Sequence, residues 1–352
     1  MILTGCAATA DPSGLLRERP DALVIPNAEK SRLPDITAGF LAPSPHGTGS
    51  GTSPVPLRSR PFLKIQDGCD NSCSYCIVRI ARGPSISIPK DRVLEQVRKL
   101  ADVGIGEIVL TGVNTASYRS GTVGLPELLD SLQSLRLPVR FRLSSLEPAS
   151  LYPSRLDSFG GPCICDHFHL SIQSGSPEIL KNMNRSPDVG RIHGLIDGLR
   201  RLHPNAAIGA DFIVGFPGET ESRFEQTLSL VHSADIAFVH VFRYSDRPGT
   251  RAASLPEKIP DGIKDERYDR LVGLGEKNRK RFLAGQTGRE LRFVTERDGL
   301  LSSNYISLPY PSAFTLPPPG RLVLGRWLGE RNVILTRTDT IQDSGIHGGL
   351  PQ

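Results

Sequence analysis

"GCDNSCSYC", residues 68–76, is the stretch from which the rest of the chain is best read. It holds three of the chain's six cysteines, at 69, 73 and 76, spaced Cys-x3-Cys-x2-Cys. The start of the chain, "MILTGCAATADPSG", lacks a basic n-region and a sustained apolar run, so it does not read as a secretory leader. A disulfide framework is then not expected, and the cluster reads as metal-binding or redox-active in a reducing, cytoplasmic compartment.

Outward from this loop, strands and helices alternate. "FLKIQ" (62–66) leads directly into the cysteines, and "EIVLT" (107–111), "VRFRLSS" (139–145), "HFHLSIQ" (167–173), "AIGADFIVGF" (207–216) and "FVHVFRYS" (238–245) follow as strands. Between them run helical stripes, such as Val93, Leu94, Val97, Leu100 and Val103, or Ile192, Leu195, Ile196, Leu199 and Leu202. Six strand–helix units predict an α/β chain with a parallel sheet, as an incomplete (β/α)6 barrel, with a doubly wound sheet as the competing arrangement. In a parallel barrel the loop after the first strand lies on the C-terminal face, where active sites are built.

The flanks read differently. Residues 36–59 are rich in Gly, Pro, Ser and Thr and predict a flexible linker, after a fragment (1–35) too short for its own core. The core is expected over 60–284, ending in a charged helix from about 261. From 285 to 345, "RELRFVTERDG", "GRLVLGRWLG" and "RNVILTRTD" predict a small all-β module, with "SSNYISLPYPSAFTLPPPG" as a Pro-rich loop inside it. The net charge of +5 permits an anionic partner such as RNA without requiring one. No apolar run approaches a membrane span.

Three thiolates from one loop can each hold one iron of a [4Fe–4S] cube, which usually takes four cysteines. With no fourth nearby, one iron is left open, and S-adenosylmethionine can chelate it through its amino and carboxylate groups. An electron passed to the sulfonium then releases methionine and a 5′-deoxyadenosyl radical. Zinc is the alternative, but it wants four ligands, commonly as two pairs, and Cys163 and Cys165 are too close in sequence to chelate well.

"FLKIQDGCDNSCSYCIVRIARG", "EIVLTGVNTASY", "RLSSLEP", "HFHLSIQSGSPEILKNMNR", "DFIVGFPGET" and "HVFRYSDRPGTRAA" occur in this order. Together they resemble the radical-SAM methylthiotransferase family, and most closely its tRNA N6-threonylcarbamoyladenosine (t6A) branch. The resemblance implies transfer of a methylthio group to C2 of that adenosine beside the anticodon, with Cys69, Cys73 and Cys76 on the catalytic [4Fe–4S] cluster. It implies S-adenosylmethionine as second cofactor, tRNA as partner and a C-terminal TRAM domain, an OB-like barrel that binds RNA. Thr111, Gly112 and Asn114 would lie against the methionine moiety, and Gly215 and Gly218 near the adenine. Gln173 and Ser174 offer an amide and a hydroxyl to cofactor or substrate. Each segment also reads as an ordinary turn or helix cap. His167 and His169 read as barrel-interior or hydrogen-bonded residues. Arg185 and Arg243 read as surface salt bridges, or as contacts to the S-adenosylmethionine carboxylate or an RNA phosphate; the run Lys277, Arg279, Lys280 and Arg281 reads as an exposed helix face or as phosphate contacts.

The family also carries an N-terminal domain whose three cysteines hold an auxiliary cluster. Here "LTGCAATADP" resembles only its end, Cys6 is its one remaining cysteine, and the auxiliary cluster is expected to be lost. "IVRIARGPSISIP" also departs from the family, with Arg79 in place of a usual proline. A monomer is expected, while the electron donor and sulfur source stay unnamed. A non-catalytic tRNA-binding remnant and a different radical-SAM reaction remain the alternatives.

Overall fold

The computed structural model describes residues 2–33, 58–309, 317–329 and 332–337. The linker expected at 36–59 falls almost wholly outside the described residues. Ahead of it, β1 (Ile2–Thr4) pairs in parallel with β2 (Leu23–Ile25), around a short helix, α1 (Cys6–Ala10). Ala8, Ala22 and Ile25 are its buried apolar residues, too few for a separate core. The fragment instead leans on the short helix α2 (Val78–Arg82) that follows the cysteines: Asn27 Nδ2 donates to the Ala81 carbonyl at 2.7 Å.

Six parallel strands form the centre: β3 (Phe62–Lys64), β4 (Glu107–Thr111), β5 (Arg140–Leu143), β6 (His167–Gln173), β7 (Ala207–Val214) and β8 (Phe238–Arg243). They lie side by side in chain order, β3 to β5 and β6 to β8, and the bridges Phe141–Ile164 and Leu146–Leu170 join the two runs. Among the described residues β3 and β8 do not pair, so the barrel is open, as six units predict. A doubly wound order is excluded, because no strand is inserted out of sequence.

Alternation along each strand sorts the two faces. Ile108, Leu110, Phe141, Phe168, Leu170, Ile208 and Phe212 point outward beneath the helices, in one continuous apolar layer. Lys90–Asp102, Leu125–Ser134, Val189–Leu202 and Glu221–Ser233 supply its other side. The intervening residues, Glu107, Arg140, Arg142, His167, His169, Asp211 and His240, belong to the concave face.

A long helix, α3 (Asp261–Gln286), leads to a five-stranded antiparallel sheet. Its strands are β9 (Glu290–Thr295), β10 (Gly299–Ser302), β11 (Ser307–Pro309), β12 (Leu322–Gly329) and β13 (Asn332–Arg337). Leu291, Phe293, Leu300, Leu308, Val323 and Trp327 form its own small core. The stretch read as Pro-rich loop contributes β11, which pairs with β10.

This sheet plugs the N-terminal end of the barrel. Glu107 and Arg140 face each other across the β4–β5 register, and Arg142 stands two residues on. All three are buried. Glu107 bonds Arg140 Nη2 at 2.6 Å and Arg142 Nε at 2.7 Å. The guanidinium groups spend their remaining donors on the carbonyls of Arg292, Leu301, Ser302 and Ser303, at 2.7–3.1 Å. Burial by itself would raise the Glu107 pKa, but the two arginines outweigh it and hold the carboxyl at about 2.

Candidate active site

The cysteine loop sits at the opposite, C-terminal end, where the backbone must turn sharply out of β3. Gly68 has φ +70°, and a Cβ there would lie 1.9 Å from the Pro84 carbonyl oxygen, so only glycine fits. Cys69 N donates to Gly83 O at 3.1 Å and Cys76 N to Cys73 O at 3.1 Å. Ser74 pins the middle of the loop, with N to Met183 O at 2.9 Å and Oγ to Asn182 O at 2.8 Å, and its own carbonyl accepts from Ala252 N at 2.7 Å. Tyr75 packs beside Ile179, Met183, Phe216 and Tyr244.

Cys69, Cys73 and Cys76 are all half-buried free thiols. Burial comes first in pushing the Cys69 and Cys76 thiols above their ordinary pKa, and charge on the neighbouring cysteines adds to it. Such groups keep their protons at neutral pH unless a metal replaces them.

Gln66, which the sequence did not single out, and Arg185, which it offered as an anion contact, hold this loop. Gln66 is buried; its Nε2 donates to Gly68 O at 2.8 Å, while its Oε1 accepts from Asn114 N at 2.8 Å. It thereby clamps the cysteine loop to "TGVN". Gly112 is needed for this approach, since a Cβ would come within 2.9 Å of Gln66 O and Oε1. Arg185 donates to Cys73 Sγ at 3.6 Å, pairs with Glu147 at 2.6 Å and also reaches the Ser171 carbonyl. Glu147, of "SSLEP", is the partner that fixes the arginine.

The expected cofactor residues are distributed around the same rim. Thr111 closes β4, and its carbonyl accepts from Ile65 N at 2.8 Å. Asn114 is 5% exposed, and among the described residues its Oδ1 has no partner; neither has the buried Ser144 Oγ at the end of β5. Unpartnered buried acceptors on adjacent strand ends are what a polar ligand would satisfy. Gln173 ends β6 at φ +76°, an unusual conformation for a side-chain-bearing residue and one seen at functional sites. Ser174 is fully buried, with its hydroxyl on Thr227 Oγ1 (3.3 Å) and Ser176 N (3.1 Å), so it serves the fold of its own loop. Gly215 and Gly218 take φ +72° and +80° around buried Glu219, whose Oε2 accepts from Gly215 N at 2.6 Å and from Arg267 at 3.0 Å. Thr220 caps the following helix on Arg223 N, as expected.

The remaining expectations separate from the rim. Cys165 lies by Glu107, 3.9 Å from its Oε2, at the barrel's other end. Cys6 meets Asn27 Nδ2 at 3.7 Å. Arg243 is spent on Asp265 and the Tyr268 ring, and Arg281 on Asp235 at 2.6 Å.

Comparison with known proteins gives the same direction. The Radical SAM superfamily model matches residues 63–231. "Threonylcarbamoyladenosine tRNA methylthiotransferase MtaB" of Treponema pallidum is 39% identical over 255 residues, covering 72% of this chain and 53% of that protein. The protein of the same name from Thermotoga maritima is 34% identical, covering 84% of this chain and 70% of that protein. The "tRNA-2-methylthio-N(6)-dimethylallyladenosine synthase" of Erythrobacter litoralis is 32% identical over the same shares of the two chains, 84% and 70%. The chain thus spans about half the length of one of these relatives and 70% of the others. In fold, the cobalamin-dependent S-adenosylmethionine radical enzyme OxsB superposes with a TM-score of 0.50 at 14% identity, covering 79% of this chain and 43% of that one. With a three-thiol loop at the mouth of an open parallel barrel and relatives this similar over most of their length, the chain belongs to the radical-SAM methylthiotransferase family.

Proposed function

We propose that the chain is the catalytic core of a tRNA methylthiotransferase, acting at C2 of N6-threonylcarbamoyladenosine next to the anticodon. What carries this is the loop of Cys69, Cys73 and Cys76 beside the unpartnered acceptors Asn114 Oδ1 and Ser144 Oγ. In this reading the three cysteines hold a [4Fe–4S] cluster. When bound there, cluster and S-adenosylmethionine together supply a carbon radical able to take a hydrogen atom from an unactivated C–H bond.

The chain's own residues do the positioning. Gln66 fixes the distance between the cysteine loop and "TGVN". Arg185 places an N–H on Cys73. Asn114 and Gln173 offer amides toward the cofactor, and Gly112, Gly215 and Gly218 let backbone approach it. A division at about residues 60 and 285, with the C-terminal sheet as TRAM-like module, accompanies this reading. tRNA is the macromolecular partner; the electron and the sulfur come from outside the residues described. None of the described helices is long and apolar enough to cross a membrane.

The test is anaerobic reconstitution with iron and sulfide, then incubation with S-adenosylmethionine, reductant and unmodified t6A-containing tRNA. Nucleoside mass spectrometry should show 2-methylthio-t6A. Product on dimethylallyladenosine tRNA alone would move the substrate to the other branch. Release of 5′-deoxyadenosine with no modified nucleoside under any sulfur supply would end the methylthiotransferase proposal while leaving radical chemistry standing.

A further inference from the structure

The concave face carries a second constellation, midway between the cysteine loop and the C-terminal sheet. His169, Asp211 and His240 come from β6, β7 and β8, and their ligand atoms lie within 4.8 Å of one another. His169 Nε2 is 2.9 Å from Asp211 Oδ1, and His240 Nδ1 is 3.5 Å from the same oxygen. Asp211 and His240 face each other directly in the β7–β8 register, and Gly209 faces His169 across β6–β7.

The site is built around a missing side chain. A Cβ on Gly209 would lie 2.7 Å from His169 Nδ1, so the imidazole occupies the space over that glycine, with its other nitrogen toward Asp211. His169 is 8% exposed, which fixes its ring, whereas the His240 side chain is 58% exposed and opens the site to solvent. The His169 and His240 rings are 4.7 Å apart and tilted, a convergence rather than a stack.

From this we infer a divalent transition-metal site of the two-histidine, one-carboxylate type on His169 Nε2, Asp211 Oδ1 and His240 Nδ1, distinct from the cysteine loop. Metal–N and metal–O bonds of about 2.0–2.1 Å give ligand–ligand edges of roughly 3.0 Å in an octahedron and 3.4 Å in a tetrahedron. The two edges to Asp211 Oδ1, 2.9 and 3.5 Å, bracket these values, and the third, between the two imidazole nitrogens, lies within 4.8 Å, so an ion is taken up by a swing of the exposed His240 ring toward His169. Two neutral imidazoles and one carboxylate select zinc or iron(II) over calcium or magnesium. Three protein ligands leave positions open on the solvent side, for water or for an oxygen of a bound anion. A purely hydrogen-bonded His–Asp–His triad is the competing arrangement, and it differs in holding no ion.

The test separates this site from the cysteines. The full chain carrying Cys69→Ala, Cys73→Ala and Cys76→Ala is equilibrated with zinc sulfate, desalted and analysed for metal, with X-ray absorption at the zinc edge. We expect about one zinc per chain with only nitrogen and oxygen neighbours. Adding Asp211→Asn, which keeps size and hydrogen bonding, or His240→Ala, an exposed position that does not disturb the core, should bring zinc to near zero with an unchanged circular dichroism spectrum. The same Asp211→Asn change in the chain with its cysteines intact should leave cluster iron and its visible absorbance in place. Absence of zinc from the triple-cysteine variant, sulfur in the zinc shell, or zinc content indifferent to Asp211→Asn would each overturn the site.

Discussion

Replacing Glu107 by Gln should loosen the C-terminal sheet from the barrel. The carboxylate is fully buried, and its partners Arg140 and Arg142 are 1% and 3% exposed. Gln retains the shape but leaves two buried guanidinium groups without a counter-charge. Breaking one partner out of a buried pair costs about 3–5 kcal/mol, roughly a thousand-fold in the folded-to-unfolded ratio. At about 2.1 cal/mol/K of unfolding entropy per residue, a chain of this length melting as one unit would lose about 5 °C, and more if the sheet melts alone. Because the arginines also hold the carbonyls of Arg292, Leu301, Ser302 and Ser303, the loss should be concentrated there. Hydrogen exchange by mass spectrometry should show faster exchange in peptides spanning 290–309 than in those spanning 207–214. The native pKa of about 2 gives the accompanying pH dependence. A depressed carboxyl stabilises the fold above its unfolded value, near 4.3, and this is lost as pH falls toward 2. Acid sensitivity in that window should be reduced in the variant. A Glu107→Gln protein melting within about 1 °C of the parent, with unchanged exchange at 290–309, would refute the idea that this seam holds the sheet.

Other expectations concern single residues. Gly68→Ala should lower iron incorporation sharply, because its Cβ has no room beside Pro84 O; iron and sulfide assays on reconstituted protein check this, and normal loading would contradict it. Arg185→Met should destabilise the cysteine loop through Cys73 and leave Glu147 buried without its cation, a loss of about 3–5 kcal/mol read as faster cluster bleaching in air and a lower denaturation midpoint. His203 has Asp166 Oδ1 at 2.6 Å on one nitrogen and Phe159 O at 2.6 Å on the other, so both nitrogens face acceptors and the imidazolium is favoured. Burial opposes this, but the two acceptors win and the pKa is raised. The resulting stability is complete below about pH 6.5 and is lost as pH rises through the raised value; urea midpoints measured from pH 6 to 9 should fall in the parent and stay flatter in His203→Gln.

Much of the barrel was legible in the sequence because its signals are local. "EIVLT" and "HFHLSIQ" coincide with β4 and β6 to the residue, and the helical stripes mark the outer layer. The cysteine loop was legible for the same reason, its chemistry being carried in nine consecutive residues. The contacts that hold it were not. Gln66 meets Asn114 48 positions away, and Arg185 meets Cys73 112 positions away, contacts with no periodic signature. The arginines of "VRFRLSS" carry no local sign of burial, which follows from their register opposite Glu107 and the sheet packed over them. Tyr305 lies in a stretch that reads as Pro-rich loop, yet its ring stacks on His167 at 4.3 Å, a contact between modules that neither segment announces. Ser174 illustrates the reverse: a hydroxyl beside a strand end looks available until the helix carrying Thr227 is packed over it.

Strand β4 has Glu107 at one end and Thr111 at the other. Four steps of about 3.3 Å make it a rod roughly 13 Å long. One tip is bolted into the seam with the C-terminal sheet, and the other abuts the loop that Gln66 ties to the cysteines. The strand thus sets the spacing between the seam under the sheet and the mouth of the barrel.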